Sequence, residues 1–276
     1  MRKVGGHVSI AGGISNAVQN SLNIGGNCMQ IFAGSPRLWF RQLWKKEEVE
    51  KLTDLAKEKD LNPVFIHALY LINLGTDKED LLQKSIDSLI LDIQNGDQIN
   101  SAGVVVHIGS HQGRGFESVK FQIVESLQKI LKATVKTPIL LETDAGQNGK
   151  IGSIEEIDFL IKTTNNPRVQ ICFDTAHLFE GGLDLREKDL VNQFVDNLQT
   201  LDLLSKVSCI HLNDSATDLD SHQDNHADLG KGKIGTDGLS NFVNHPLLKH
   251  LPLILETPGP DKMGPNVENI TIAQSL

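Results

Sequence analysis

The sequence has few cysteines, one tyrosine and no long hydrophobic run. Its three cysteines, Cys28, Cys172 and Cys209, lie in apolar segments, and no two of them have the spacing of a CxxC motif. Because cysteine is among the most often buried residue types, we expect reduced, buried thiols and neither a disulfide framework nor a thiolate metal site. No segment approaches the roughly 20 apolar residues that a membrane-spanning helix needs.

Basic residues are also in the minority, and the net charge of −9 argues against a protein that coats nucleic acid through a generally basic surface. A local positive site stays compatible with this charge, because the field at a site depends mainly on the nearby charges. The first residues lead directly into a strand pattern without the apolar segment of a signal peptide. We therefore expect a cytoplasmic protein with no membrane partner.

Strand patterns alternate with helix patterns along the whole sequence. The predicted strands cover 4–8, 28–32, 62–67, 103–107, 137–142, 169–174, 207–212 and 252–256. The predicted helices cover 13–24, 47–60, 77–100, 116–134, 153–164, 184–205, 236–244 and 266–275. Most strands are continuous apolar runs, which is typical of parallel strands that are covered on both faces. Eight such units favour an α/β fold with a single domain, a (β/α)8 TIM barrel over residues 1–276.

Six of the predicted strands end in a residue that can bind a metal ion. These residues are His67, His107, Glu142, Asp174, His211 and Glu256. A barrel gathers the C-terminal ends of its strands on one face, so the six side chains should converge there. An open doubly wound sheet, the alternative arrangement, concentrates its site at one switch point. Three imidazoles and three carboxylates in one place would repel one another or have no role, unless cations were bound among them.

Three further donors lie in the loops that follow the strands. His177 comes three residues after Asp174, and Asp224 and His226 form an Asp-x-His pair in a long polar segment. Alternate residues of an extended chain point the same way, so Asp224 and His226 can reach one ion. Imidazole and carboxylate ligands without thiolates suit zinc, and less selectively manganese or iron. The sequence therefore predicts a polynuclear metal centre at the C-terminal face of the barrel.

Other polar residues border the predicted centre. His7, at the end of the first strand, is either a further donor or a residue that orients a ligand, and His111 is expected to orient a ligand. A glycine-rich turn after the long polar segment carries Lys231 and Lys233. The nine donors include four carboxylates, so three divalent cations would leave the centre positively charged. Such a centre attracts an anion and suits hydrolysis of a phosphodiester.

At the level of motifs, the chain resembles the endonuclease IV family, the zinc-dependent apurinic/apyrimidinic endonucleases of base-excision repair. The motifs are GGHVSIAGG, HALYLINLG, HIGSH, LETDAGQ, CFDTAHLFEGG, HLNDS, DNHADLGKGKIG and LILETP, in the family's order and over nearly the whole chain. The resemblance implies cleavage of duplex DNA 5′ to an abasic site, which leaves a 3′-hydroxyl and a 5′-deoxyribose phosphate. It also implies clearing of blocked 3′ ends.

The same resemblance implies that the nine donors bind three zinc ions. The first ion would take His67, His107 and Glu142, the second Glu142, Asp174, His211 and Glu256, and the third His177, Asp224 and His226. Glu142 would bridge the first two ions. The catalytic carboxylates would be Glu142, Asp174 and Glu256.

DNA contacts are also implied by the resemblance. Family members bend the duplex and flip the baseless nucleotide, and the positions that match their inserted side chains are Arg37, Tyr70 and Leu71. A guanidinium, an aromatic ring and an aliphatic wedge can replace lost stacking. Lys231 and Lys233 would contact phosphates, together with Arg37 and the amides of the glycine-rich turn. The expected partner is duplex DNA with abasic sites or blocked 3′ ends, bound by a monomer.

Three features depart from the family pattern. Ile108 stands where HIGSH usually has a proline, Asp144 stands where LETDAGQ usually has a small polar residue, and the last helix is short. An extra carboxylate at Asp144 would weaken phosphate binding if it faced the centre. Gly146 follows two residues later, so the sequence does not determine in which direction the Asp144 side chain points.

The alternative function is a sugar isomerase or epimerase of the xylose isomerase-like barrel group. Its Glu/Asp/His/Glu metal centre would need only Glu142, Asp174, His211 and Glu256. That function gives no role to the other five predicted ligands, nor to an exposed arginine, tyrosine and leucine near the centre. The endonuclease is therefore the preferred prediction.

Overall fold

A closed barrel of parallel strands forms the centre of the computed structural model, which describes residues 2–276. In chain order the strands are β1 (Val4–His7), β2 (Cys28–Phe32), β3 (Val64–His67), β4 (Gly103–Val106), β5 (Ile139–Glu142), β6 (Val169–Asp174), β7 (Val207–His211), β8 (Asp214–Ser215), β9 (His226–Ala227) and β10 (Leu253–Leu255). The barrel order is β1-β10-β7-β6-β5-β4-β3-β2, and β8 and β9 form a separate antiparallel pair. The predicted (β/α)8 barrel is confirmed.

Helices cover the outside of the barrel. They are α1 (Asn16–Asn23), α2 (Lys46–Glu58), α3 (Glu79–Ile99), α4 (Lys120–Ala133), α5 (Ile154–Thr164), α6 (Thr175–Glu180), α7 (Lys188–Thr200), α8 (Gly235–Val243) and α9 (Val267–Ser275). Helix α5 begins at a capping box, in which the Ser153 side chain accepts from the Glu156 N–H and the Glu156 side chain accepts from the Ser153 N–H. Within residues 2–276 no helix is both long and apolar enough to cross a membrane.

The interior of the barrel is built in layers, and its lower layer is apolar. That layer is one buried cluster made of Cys28, Phe65, Val105, Leu140, Cys172, Cys209 and Ile254. Side chains alternate between the two faces of a strand, so the residue two positions later points inward as well. Those next residues are Gln30, His67, His107, Glu142, Asp174, His211 and Glu256. The apolar layer therefore sets the direction in which six predicted ligands point.

The three cysteines are free and buried, as predicted. Cys172 and Cys209 are paired across β6 and β7, and their Sγ atoms lie 3.5 Å apart. This separation is well beyond the length of a disulfide bond. The thiols act as small apolar groups that fill the barrel below the polar layer.

Some boundaries differ from the predicted ones. Strands β4 and β10 end one residue earlier, so that His107 and Glu256 follow their strands directly. Helix α6 was not predicted, because a helix of six residues is too short to show a periodic pattern. The β8–β9 pair was also missed, because each of its strands has only two residues. Met1, with which the predicted domain begins, lies outside the described residues.

Candidate metal centre

All nine predicted donors lie together above the apolar layer. Their ligand atoms form three sets, each with all atoms within 4.8 Å of one another: His67, His107 and Glu142; Glu142, Asp174, His211 and Glu256; and Asp174, His177 and His226. Asp224 adjoins the third set, because its Oδ1 lies 3.2 Å from His177 Nε2 and 3.8 Å from His226 Nε2. Consecutive sets share a carboxylate, so the three form one continuous centre.

Glu142 connects the first set to the second. Its side chain is fully buried, and its Oε1 lies 2.8 Å from His211 Nδ1. Its Oε2 lies 3.4 Å from Nε2 of both His67 and His107. Each carboxylate oxygen therefore faces a different set, which is the arrangement that a bridging ligand requires.

Several buried polar atoms in the centre have no hydrogen-bond partner among the described residues. Nδ1 of His107 is one of them and faces Asp144. The others are Nε2 of His67, His177 and His226, and Oε2 of Glu142. Leaving such groups unpaired costs free energy, and native proteins rarely do so. Those Nε2 and Oε2 atoms face other donors across gaps of 3.2 to 3.8 Å. A cation between them would satisfy both sides, so the residues fit a bound metal ion.

Contacts on the outer side of the rings orient the histidines. The Nδ1 atoms of His67 and His177 donate to backbone carbonyls at 2.7 and 2.8 Å, which leaves Nε2 facing the centre. His211 is turned the other way: its Nε2 donates to Gln30 Oε1 at 2.9 Å and its Nδ1 faces Glu142. Such contacts fix both the tautomer and the orientation of a ligating imidazole.

Gln30 is a residue of the centre that the sequence analysis missed. It is fully buried in β2 and donates through Nε2 to Glu256 Oε1 at 2.7 Å. The same side chain accepts from His211, so one amide orients two candidate ligands. A signal was present in the sequence, because Gln30 is a polar residue inside the apolar run CMQIF.

The two histidines that were expected to orient ligands have different positions. His7 Nδ1 lies 3.1 Å from Glu256 Oε1, so His7 does contact a candidate ligand. His111 Nδ1 instead accepts from the Gly115 N–H at 3.1 Å, and the His111 N–H donates to Gly149. Among its described contacts none reaches one of the nine donors, and the orienting role of His111 stays a prediction.

Opposing effects set the pKa values in the centre. Burial acts to raise the pKa of Glu142, but His107 and His211 outweigh it and hold this pKa well below its usual value. Burial acts to lower the pKa of His211, but Glu256 and Glu142 outweigh it and raise this pKa to about 10. Near neutral pH the cation-free centre therefore combines ionised carboxylates with a protonated His211.

Zinc binding should release protons, because a cation at His211 Nδ1 displaces the proton held there below a pKa of about 10. Each displaced proton makes the apparent affinity rise about tenfold per pH unit. Titration calorimetry in two buffers with different ionisation enthalpies counts the released protons. A zinc affinity that stays constant with pH would contradict the assignment of His211 as a ligand.

The predicted stacking residues lie beside the centre. The exposed fractions are 57% for Tyr70 and 36% for Leu71. Both line a cleft of about 550 Å³ that also contains His107 and Asp224. The Tyr70 ring centroid is 5.5 Å from that of His67. Arg37 is exposed in the loop between β2 and α2, which the buried pair of Arg41 and Asp92 anchors to α3.

The glycine-rich turn is arranged differently from the prediction. Its amides donate to the buried carboxylate of Asp214, from Gly230, Gly232, Ile234 and Gly235. These N–H groups are therefore not available to phosphates, and that expectation is wrong. Lys231 and Lys233 remain more than half exposed, with Nζ atoms 3.4 Å from Glu268 and 3.3 Å from Asp218.

Known proteins are similar to this chain in both sequence and fold. The chain matches the family described as xylose isomerase-like TIM barrel over residues 18–274. A relative from Halothermothrix orenii, named probable endonuclease 4, is 39% identical over 259 residues, 93% of each chain. Endonuclease IV from Thermus thermophilus superposes with a TM-score of 0.87 at 35% identity, covering 99% of this chain and 100% of that chain.

A D-tagatose 3-epimerase-like protein has a TM-score of 0.72 at 16% identity, covering 99% of this chain and 94% of that chain. At that identity it shows the shared fold alone. The relatives named endonuclease 4 match at much higher identity over nearly their whole length, which confirms the resemblance seen in the motifs. The chain therefore belongs to the endonuclease IV family of metal-dependent AP endonucleases.

Proposed function

We propose that this chain hydrolyses the phosphodiester 5′ to an abasic site in duplex DNA and also clears blocked 3′ ends. Three zinc ions would be held by the nine donors, with manganese or iron as alternative ions at some positions. The observation that carries the proposal is the continuity of the three donor sets through the shared carboxylates Glu142 and Asp174. The proposal includes action as a monomer, which the resemblance to the family implies, and the cytoplasm as the expected location.

The residues of the centre would position a phosphodiester as follows. When bound, the divalent cations supply a water of lowered pKa and stabilise negative charge on the phosphate. Glu142 sets the spacing between the first two donor sets, because its two oxygens face one set each. The cleft beside His107 and Asp224 leads from these donors to Tyr70 and Leu71. A flipped sugar in the cleft would therefore lie between the donors and the stacking residues.

A sugar isomerase would use the set of Glu142, Asp174, His211 and Glu256. The other five donors are equally part of the centre, and their unpaired buried nitrogens would have no role in such an enzyme. A fully occupied centre with three cations binds a polyanion more readily than a neutral sugar. The phosphodiesterase is therefore the better explanation of the geometry.

A duplex with one tetrahydrofuran abasic analogue tests the proposed activity. This analogue cannot undergo β-elimination, so a cut on its 5′ side with a free 3′-hydroxyl requires hydrolysis. Elemental analysis of the same protein gives the identity and number of its metal ions. Failure to cut by protein that holds three cations would overturn the endonuclease proposal and direct the search to sugar substrates.

Replacing Tyr70 and Leu71 together with alanine should weaken binding to abasic duplex about 10- to 100-fold, with little effect on undamaged duplex. The reason is that stacking contacts of about 1–3 kcal/mol are made only where a base is missing. Fluorescence anisotropy with both duplexes measures the difference. Phe121→Ala/Leu247→Ala is a matched control, because Phe121 in α4 is 60% exposed and Leu247 in the turn that follows α8 is 41% exposed. Equal weakening of both duplexes would show that Tyr70 and Leu71 do not fill the gap.

A further inference from the structure

Asp144, the unusual residue of LETDAGQ, lies against the outer side of the candidate ligand His107. Its side chain is 1% exposed, and its Oδ2 lies 3.3 Å from His107 Nδ1. The other nitrogen of this ring, Nε2, lies 3.4 Å from Glu142 Oε2. His107 thus lies between a candidate bridging carboxylate on one side and Asp144 on the other. The contact with Asp144 is an ion pair without a hydrogen bond at Nδ1, on the side of the ring from which a carboxylate orients a ligating imidazole.

Lys150 connects Asp144 to the far side of the centre. Its Nζ lies 3.4 Å from Asp144 Oδ2 and 2.9 Å from Asp224 Oδ2. The other oxygen of Asp224 lies 3.2 Å from His177 Nε2. One ammonium group therefore links the outer side of the first donor set to a carboxylate of the third.

The backbone brings Lys150 to this position through a tight turn. The turn is the 3-10 helix Gln147–Gly149, which Gly146 precedes. Gly146, Asn148 and Gly149 all have positive φ. The Lys150 N–H donates to the Gln147 carbonyl at 3.0 Å, which closes the turn. The lysine is 30% exposed and lines the same cleft as Tyr70.

We propose that Asp144 and Lys150 are paired positioning residues of the centre. Asp144 orients His107 through Nδ1, and Lys150 both compensates the charge of Asp144 and fixes Asp224. This inference rests on the proposed function, in which the nine donors bind cations and the cleft binds DNA. Compensation of the Asp144 charge by Lys150 also explains how an additional carboxylate is compatible with a cleft that binds an anion.

The pairing follows from the electrostatics of buried groups. An uncompensated carboxylate next to the first donor set would repel a phosphate in the cleft, and the low local dielectric would strengthen that repulsion. Lys150 offsets this repulsion, because its ammonium group lies 3.4 Å from Asp144 and 2.9 Å from Asp224. Because Asp144 is buried, leaving its charge without Lys150 costs more than removing both charges. The two residues should therefore be strongly non-additive.

Cation release in the absence of DNA is the first test. Zinc-loaded protein is mixed with a colorimetric chelator, and the number and rates of the released ions are followed. Asp144→Ala should accelerate release of one ion by about 10- to 100-fold, the usual effect of losing an orienting group. Asp144→Asn keeps an acceptor for His107 Nδ1 and should release that ion at nearly the wild-type rate. Asp184→Ala, which breaks the ion pair with the half-exposed Arg186, is the control and should leave the zinc release unchanged.

DNA affinity of the zinc-loaded protein is the second test. Lys150→Met should weaken binding of abasic duplex about tenfold when Asp144 is present, but have little effect in an Asp144→Asn background. Additive effects of the two substitutions would overturn the pairing. A wild-type rate of zinc release from Asp144→Ala would overturn the orienting role while the proposed function stands. A wild-type protein that retains no zinc would overturn the proposed function, and this inference with it.

Discussion

Replacing Glu142 with glutamine is expected to abolish cleavage of abasic duplex while leaving the barrel folded. Glu142 is fully buried and faces two donor sets, so the substitution removes a negative charge from both at once. A neutral amide cannot bridge two cations, and its NH2 group would point toward one of the donor sets. We expect the cleavage rate to fall about a thousandfold or more, as for the loss of a central electrostatic group.

Single-turnover cleavage and zinc content, measured on the same preparation, check this prediction. The substitution should lower both, whereas the circular dichroism spectrum should stay that of the wild type. Glu180→Gln is the matched control, because Glu180 is also a fully buried glutamate but accepts from the Ser215 hydroxyl at 2.7 Å. That control should retain its zinc. Full activity of Glu142→Gln would contradict the bridging role.

The direction of the candidate ligands could be predicted because it depends on a local rule. Leu140 and Glu142 lie two residues apart in β5, and so do Cys209 and His211 in β7. An apolar strand in a barrel places every second residue inside, and a polar residue at its C-terminal end must then reach the open face. Gln30 obeys the same rule and was missed because an amide is not an expected metal ligand.

Lys150 shows which part of the centre the sequence could not predict. It follows three residues of a 3-10 turn, and its partners Asp144 and Asp224 lie 6 and 74 positions away. No periodicity or motif relates a lysine in such a turn to a carboxylate in a distant loop. The direction of Asp144 was left open for the same reason, since it depends on a turn with several residues at positive φ. Contacts of this kind follow from tertiary packing alone.

The charge of the centre depends on shared groups rather than on a simple sum of ligands. Glu142 and Asp174 each belong to two donor sets, so four carboxylates serve three candidate cation positions. Gln30 and His7 both contact Glu256 and add no formal charge. The donor sets therefore carry less negative charge than three separate sites would, which favours a centre that binds a phosphodiester.

Replacing Asp214 with alanine should be the most destabilising substitution outside the candidate ligands. The carboxylate is fully buried, and five backbone N–H groups donate to it: Ser215, Gly230, Gly232, Ile234 and Gly235. Truncation leaves these donors without a partner in a turn where Gly232 approaches the Ser215 carbonyl closely. Since each buried, unpaired donor costs about 1–3 kcal/mol and the turn can relax partly, we expect a loss of about 3–5 kcal/mol in unfolding free energy.

Urea unfolding measures this loss, and hydrogen exchange at residues 230–235 shows whether it begins in the turn. Asp218→Ala is the control, because this carboxylate is 85% exposed beside Lys233 and its loss should change stability by less than about 0.5 kcal/mol. Zinc retention should fall as well, since β8 pairs with β9 and aligns Ser215 with the candidate ligand His226. Wild-type stability together with wild-type exchange in Asp214→Ala would mean that the turn is held by other contacts. If residues 230–235 instead lost exchange protection while zinc was retained, the metal centre would not depend on the turn. Contacts within the centre would then be what positions His226.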